Sequence, residues 1–261
     1  MVIEKKKDYD PNTIIEFVDV HKWFDRNYVH KGVDLQIKRG ETITVIGGSG
    51  QGKTVLLKEL NGLMRPDKGN IWVDGKNVTK MRERELLDVR KDVGFLFQGA
   101  ALFDSLDVRG NIAYPLYENF KYDEEKIDKI VVEKLKMVGL GDPAVAKLMP
   151  MELSGGMKKR VGLARAIATD PKIIIYDEPT TGLDPTNVRR INRLIRDLQQ
   201  KLGVTSIAVT HDMQSIFEFS DRMAMIWKGK IIEVGSVEDM KNSSNDIVRE
   251  FIAGSLPMDD I

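Results

Sequence analysis

Apolar and polar positions alternate with a period of two over Ile14 to Val20 and again over Val33 to Ile37, the pattern of half-buried strands. Glu41 to Ile46 gathers apolar residues and runs into a cluster of glycines, and from Lys53 to Leu63 the period lengthens to that of a helix. Asp74-Gly75, set between Ile71-Trp72-Val73 and Val78, is suited to a two-residue hairpin turn. The first third therefore predicts antiparallel pieces together with one strand–loop–helix unit.

The middle reads as helix. Over Glu124 to Val138 the residues Ile127, Ile130, Val131, Leu135 and Val138 fall on one stripe, and Val108 to Leu116 and Ser154 to Thr169 are further helix candidates. The last third alternates. Lys172 to Tyr176 is an apolar run suited to a strand buried on both faces. Thr186 to Leu202 follows as an amphipathic helix on Val188, Ile191, Leu194, Ile195 and Leu198, and Thr205 to Val209 as a β-branched strand. Arg222 to Val234 reads as a hairpin closed at Lys228-Gly229-Lys230. Strand, helix, strand implies a parallel sheet in the core. Residues 1–12 read as a mobile polar tail, and 242–261 as a helix and tail that either straps a neighbour or is disordered, its end at Ser255 to Ile261 favouring disorder.

Composition narrows the chemistry. The 261 residues carry 40 Lys and Arg against 40 Asp and Glu, so no overall basic field favours nucleic acid as a partner. The chain has no cysteine, which excludes disulfides, thiol chemistry and a Cys-ligated zinc site. Its histidines, His21, His30 and His211, are scattered, against a His-rich metal centre. No run is long and apolar enough to span a bilayer, and the basic start has no apolar stretch behind it, so a cytoplasmic protein is expected, held at any membrane by a partner.

Gly47-Gly48-Ser49-Gly50-Gln51-Gly52-Lys53-Thr54 matches the phosphate-loop pattern G-x-x-x-x-G-K-[ST] between an expected strand and an expected helix. Glycines let the backbone approach a polyphosphate and turn its N–H groups inward, and the helix N-terminus favours the anion. Lys53 reaches the outer phosphates and the Thr54 hydroxyl is a Mg²⁺ ligand in this reading. Asp177 and Glu178 close the strand Ile173-Ile174-Ile175-Tyr176: Asp177 suits a metal shell and Glu178 an attacking water, since two buried carboxylates are costly without a cation. Between these segments lies Leu153-Ser154-Gly155-Gly156-Met157, with Ser154 at a helix N-cap position and Lys158, Lys159 and Arg160 behind it.

Ser154-Gly155-Gly156, placed in the chain between Lys53 and Asp177, resembles the signature sequence of ABC-type ATPases, over roughly residues 13–253. Gln98, after Gly94-Phe95-Leu96-Phe97, resembles the Q-loop glutamine that touches Mg²⁺ and faces the membrane partner. Thr181 to Pro185, with Asp184, resembles the D-loop, and His211 the switch histidine. Phe24 aligns with the aromatic that stacks on adenine, with Trp23 as the alternative. The resemblance implies an α/β fold: a P-loop NTPase core with a mainly parallel sheet, an antiparallel β subdomain and an α-helical subdomain at about 99–168, within an ATPase domain spanning 13–241. It further implies ATP and Mg²⁺ as cofactors, with Gly47, Gly48, Ser49, Gly50, Gln51, Gly52, Lys53, Thr54 and Val55 around the nucleotide and Thr54, Gln98 and Asp177 around the metal. Glu178, His211, Lys53 and Gln98 are the implied catalytic set, Glu178 orienting water and His211 holding the γ-phosphate. The resemblance also implies a head-to-tail homodimer, each nucleotide lying between one phosphate loop and the neighbour's Ser154, Gly155 and Gly156, with Asp184 also among the nucleotide-binding residues. The usual fifth signature residue is glutamine, and here it is Met157.

The stretches Phe97 to Leu106, Asn111 to Leu116 and Ala146 to Met157 look like those of the ATPases of Mla and Mce-associated transporters, which move phospholipids between bacterial membranes with a permease and an MCE-domain protein. That likeness implies a peripheral subunit on the cytoplasmic face of the inner membrane. Ala100-Ala101-Leu102-Phe103 is then either part of a groove for a permease helix or internal packing. A small-molecule importer ATPase, for instance for amino acids, is the alternative. Its common form with an appended regulatory domain is disfavoured by the short stretch after Val237. A non-transport ATPase acting on DNA is less expected, for want of a coiled-coil insertion or basic face.

Overall fold

The computed structural model describes residues 10–255; most of the expected N-terminal tail and the end of the C-terminal one lie outside the described residues. The chain opens with β1 (Thr13–Phe24) and β2 (Asn27–Lys38), paired antiparallel. Both exceed the alternating stretches of the sequence. Irregular register between Phe17 and Val20, with Asp19 at φ 47°, breaks the period of two, and the outer ends are polar.

After β3 (Thr42–Ile46) and α1 (Lys53–Leu60), β4 (Lys68–Val73) adds to β1 and the two-residue β5 (Lys76–Asn77) to β4. Asp74 and Gly75 both take positive φ, 49° and 73°, as the hairpin turn between them requires. This antiparallel sheet has the order β2-β1-β4-β5. Helix α1 stops short of Leu63 because Asn61 caps it and Gly62 follows at φ 64°.

The second sheet is the scaffold of the site. It joins β3 to β6 (Val93–Leu96), β7 (Ile173–Asp177), β8 (Thr205–Val209), β9 (Arg222–Trp227) and β10 (Lys230–Ser236), in the order β10-β9-β3-β8-β7-β6. All pairs are parallel except β9–β10. Strand β7 is buried along its whole length. Ile173 and Ile175 pack towards α1 and the first sheet, Ile174 and Tyr176 towards the helical layer, each fully buried Ile contributing about 1.5–3 kcal/mol.

The remaining helices are α2 (Glu83–Arg90), α3 (Val108–Asn119), α4 (Glu124–Met137), α5 (Gly155–Ala166), α6 (Pro185–Leu202), α7 (Met213–Phe219), α8 (Val237–Lys241) and α9 (Asp246–Ala253). Of these, α3, α4 and α5 share one core with α6, built on Ile112, Leu116, Ile127, Val131, Leu163 and Ile195. Helix α3 runs past Leu116 despite Pro115, and the Asn119 side chain donates to the Pro115 carbonyl at 2.8 Å. Helices α2 and α7 carry little apolar periodicity: α2 buries only Leu86 and Val89. Among the described residues no helix is long and apolar enough to cross a membrane. The architecture, a mainly parallel core sheet flanked by an antiparallel sheet and a helical layer, has the three parts that the resemblance implies.

Since β3, β6, β7 and β8 run in one direction, the segments leaving them gather along one edge of the sheet. These are residues 47–54, Gln98, Glu178 and His211, and that edge is where ligands bind in open α/β sheets.

Candidate active site

A cavity of about 400 Å³ lies along this edge, lined by Ser49, Gly50, Gly52, Lys53, Thr54, Val55, Gln98, Glu178 and His211, together with Val29 and Val209. Nine residues singled out from the sequence thus meet in one place. Val29 is an addition: it projects from β2, whose polar start gave no sign of reaching the site.

Two glycines of the loop are required by close approach. A Cβ on Gly47 would stand 2.4 Å from the Ile226 carbonyl, and one on Gly52, at φ 91°, would stand 2.5 Å from a Val29 methyl carbon. Gly47 and Gly48 do not line the cavity; their carbonyls accept from Lys53 Nζ, both at 2.8 Å. Burial pulls the Lys53 ammonium below its ordinary value, against the attraction of Glu178 and Asp177. Gln51 is turned away, its Oε1 accepting from the Lys228 amide at 2.7 Å, at the β9–β10 turn.

Asp177, at the end of β7, is buried, and Thr54 Oγ1 donates to its Oδ1 at 3.3 Å. Burial raises the Asp177 carboxyl above its usual range, the Thr54 hydrogen bond opposes this, and the neighbouring Glu178 charge adds to it. A cation placed between Thr54 and Asp177 relieves that cost. Their oxygens, with the Gln98 side chain on the same cavity, are the hard donors that suit Mg²⁺.

Glu178 takes φ 49°, an unfavourable left-handed conformation costing about 1–2 kcal/mol in a residue with a Cβ. It is held there from several sides. Its amide donates to the Val209 carbonyl at 2.8 Å, and its carboxylate accepts from Thr181 Oγ1 at 2.9 Å and faces His211 Nδ1 at 3.1 Å. Its carbonyl accepts from Lys159 Nζ at 2.9 Å, and the same ammonium donates to the Gln98 carbonyl. Lys159 is buried, and desolvation brings it down to about 8 although Glu178 and Asp177 attract its charge. In the sequence Lys159 is only one of three cations at the start of a helix.

Other candidates lie elsewhere. Ser154 caps α5, its Oγ accepting from the Met157 amide at 3.3 Å, and neither it nor Gly155 nor Gly156 lines the cavity. The turn packs instead on the start of α6: a Cβ on Gly156 would stand 2.5 Å from Asn187 Oδ1. Asp184 caps α6, accepting from the amides of Thr186 and Asn187 at 3.0 and 3.1 Å. Phe24 ends β1, is 43% exposed and lies outside the cavity lining, and Trp23 tilts against Tyr28 at 5.6 Å.

A second cavity, of about 390 Å³, opens where β6 and the segment after it meet α3 and α5. Phe95, Phe97, Ala101, Phe103, Tyr114 and Arg165 are among its walls. Phe103 is exposed there, whereas Leu102 packs on the helical core, which is the internal packing of the two alternatives. Ala100 and Ala101 both have left-handed backbone, at φ 62° and 47°, and Arg165 donates to both of their carbonyls at 2.7 Å.

The sequence pattern of the family described as ABC transporter matches residues 30–181. The methionine import ATP-binding protein MetN of Carboxydothermus hydrogenoformans is 47% identical over 221 residues, 84% of this chain and 65% of that protein. The chain therefore spans just under two thirds of the length of that relative. The intermembrane phospholipid transport system ATP-binding protein MlaF of Haemophilus influenzae is 41% identical over 226 residues, 87% of this chain and 85% of that protein. Among solved structures, an ATP-binding cassette in a dimeric post-hydrolysis state bound to ADP and Pi matches with a TM-score of 0.79 at 31% identity, covering 86% of this chain and 99% of that one.

Proposed function

This chain belongs to the ABC transporter family of ATP-hydrolysing cassettes, and from that premise we propose that it powers phospholipid transport between bacterial membranes, as a peripheral homodimer beneath an integral permease that works with an MCE-domain lipid-binding protein. The observation that carries the ATPase part is the meeting of Lys53, Thr54, Gln98, Glu178 and His211 on one cavity, with Asp177 hydrogen-bonded to Thr54 at its edge.

In this reading the loop from Gly47 to Thr54, continuing to Val55, cradles the phosphates, and Lys53 turns its ammonium from the Gly47 and Gly48 carbonyls to the outer ones. Thr54, Asp177 and Gln98 are the residues that would hold Mg²⁺, which when bound offsets the charge of the phosphoryl oxygens. No three His, Asp or Glu side chains cluster as ligands among the described residues, in keeping with a cation that takes few protein donors and relies on phosphate and water. Glu178 accepts a proton from the attacking water, and His211, 3.1 Å from that carboxylate, faces the terminal phosphate. Phe24, or Trp23 beside it, stacks on the base.

Ser154, Gly155 and Gly156 present a helix N-terminus outside the chain's own cavity, so they are assigned to the partner's nucleotide, with Asp184 alongside. The apolar groove around Phe97, Phe103 and Tyr114 is assigned to a permease helix. The lipid assignment is supported by the similarity to MlaF, which extends over most of both chains. The greater identity to MetN favours a second reading, import of a small molecule such as an amino acid.

Gentle detergent purification of the chain from its native membrane, followed by mass spectrometry, separates the two. An MCE-domain protein with co-purifying phospholipid is the expected result. A soluble amino-acid receptor, with ATPase activity stimulated by methionine, would replace the lipid reading by the second.

A further inference from the structure

Lys159 lies on the second turn of α5 after the Ser154 cap, and its buried ammonium bridges that helix to the segments that follow β6 and β7. It donates to the Glu178 carbonyl at 2.9 Å, at the end of β7, and to the Gln98 carbonyl, in the segment that leads to the apolar groove. Both acceptors are backbone atoms of residues whose side chains line the nucleotide cavity.

The bond to Glu178 matters because of that residue's backbone. Glu178 is left-handed at φ 49°, and a non-glycine residue stays there only if its surroundings hold it. On the amide side the holder is the Val209 carbonyl of β8; on the carbonyl side it is Lys159 at 2.9 Å, with a longer bond of 3.4 Å from the Thr181 amide beside it. These bonds fix the peptide from which the carboxylate reaches Thr181 and His211.

We propose that Lys159 is a positioning residue for ATP hydrolysis, which fixes the backbone of Glu178 and so aims its carboxylate into the cavity, while tying that aim to the Gln98 segment and to the helix that begins at Ser154. The inference rests on the reading of Glu178 as the residue that orients water. It assigns Lys159 no contact with nucleotide. Loss of its two hydrogen bonds therefore affects the chemical step and not ATP capture, which belongs to the glycine loop and Lys53.

The test compares steady-state ATPase kinetics and ATP binding for the full chain carrying Lys159→Met, Lys159→Arg and Glu178→Gln. Methionine fills the volume without donating. The expected result is a fall in kcat of about 10–100-fold, the scale of a misplaced catalytic group, with KM and ATP affinity within about threefold of wild type. Arginine, which still donates, restores a substantial part of kcat. If the methionine variant does not fold, Lys159→Gln, shorter and able to make one bond, takes its place with the same split expected. A methionine or glutamine variant with wild-type kcat overturns the proposal. So does a parallel loss of kcat, ATP affinity and thermal midpoint that arginine does not repair, because that marks a merely structural lysine. Glu178→Gln separates the two levels: if it turns over at the wild-type rate, the reading of Glu178 fails, whereas an inactive Glu178→Gln beside an unaffected Lys159→Met removes the role of Lys159 alone.

Discussion

His30 and Glu59 form a wholly buried pair beneath the phosphate loop, with Nδ1 3.0 Å from Glu59 Oε2 and both side chains shielded from solvent. The other ring nitrogen lies 3.1 Å from the Gly52 carbonyl, which can only accept, so Nε2 carries a proton there. The pair thus ties β2 and α1 to the residue that starts α1. Glu59 Oε1 finds no hydrogen-bond partner, so His30 is the main compensation for that carboxyl. Replacing His30 by Leu strands Glu59 and is expected to cost about 3–5 kcal/mol, while His30→Leu with Glu59→Leu recovers most of the loss. Urea unfolding of the two single variants and the double decides. A double variant no more stable than His30→Leu contradicts this account.

Asp74 links the two sheets at the opposite end of the molecule. Burial alone raises its carboxyl, but hydrogen bonds from Arg39 and Lys172 outweigh this and hold it at about 2, below the ordinary 3.8. The folded pKa is depressed, so the stabilisation is complete above the unfolded value, falls away as pH drops from about 4 to about 2, and is absent below. The side chain is 27% exposed, and solvent screening leaves about 1 kcal/mol at neutral pH. Asn tolerates the left-handed turn, so Asp74→Asn isolates the charge. Its destabilisation should appear in thermal melts at pH 7 and be largely lost at pH 2; an equal difference at both pH values contradicts the assignment.

Glu178 and Lys53 line the same cavity but are assigned different steps, so their variants should differ in kind. Glu178→Gln keeps shape and loses the proton acceptor: turnover falls about 10²–10⁴-fold with ATP affinity retained. Lys53→Ala removes the cation beside the phosphates, and calorimetric titration should then show no measurable ATP binding. Unchanged affinity in Lys53→Ala, or wild-type turnover in Glu178→Gln, would falsify the respective assignment.

The sequence was most informative where a periodic run ended in an unusual residue pair. Ile173 to Tyr176 marked a doubly buried strand, and Asp177-Glu178 at its end are brought beside Thr54 and His211. Glycine spacing marked the phosphate loop because only glycine fits at Gly47 and Gly52. Three-dimensional dependencies were hidden. Lys159, Val29 and the His30–Glu59 pair act on residues far away in sequence, and their types are ordinary for a helix start or a strand. Helix α2 was hidden for a different reason: eight mostly charged residues burying only Leu86 and Val89 give no readable stripe. Gln51 adds a role that the motif does not announce, since a position inside the loop uses its side chain to hold the Lys228 turn.

The Ser154 turn supplies the last test, because it stands outside the chain's own cavity and the proposed function assigns it to the nucleotide of another chain. In a Glu178→Gln background, ATP and Mg²⁺ should drive the protein into a dimer visible by sedimentation velocity. Gly156→Ala should abolish that dimer. Its Cβ would stand 2.5 Å from Asn187 Oδ1, so either the Asn187 amide gives up its place beside Asp184 or the turn shifts, and the helix N-terminus loses its aim. ATP binding to the monomer should survive, within about threefold by fluorescent-nucleotide titration, because the residues that capture ATP are untouched. Lys53→Ala in the same background should lose both binding and dimer. The pattern is specific to a site shared between chains: were the whole site contained in one protomer, Gly156→Ala would either weaken ATP binding in the monomer or leave the dimer intact.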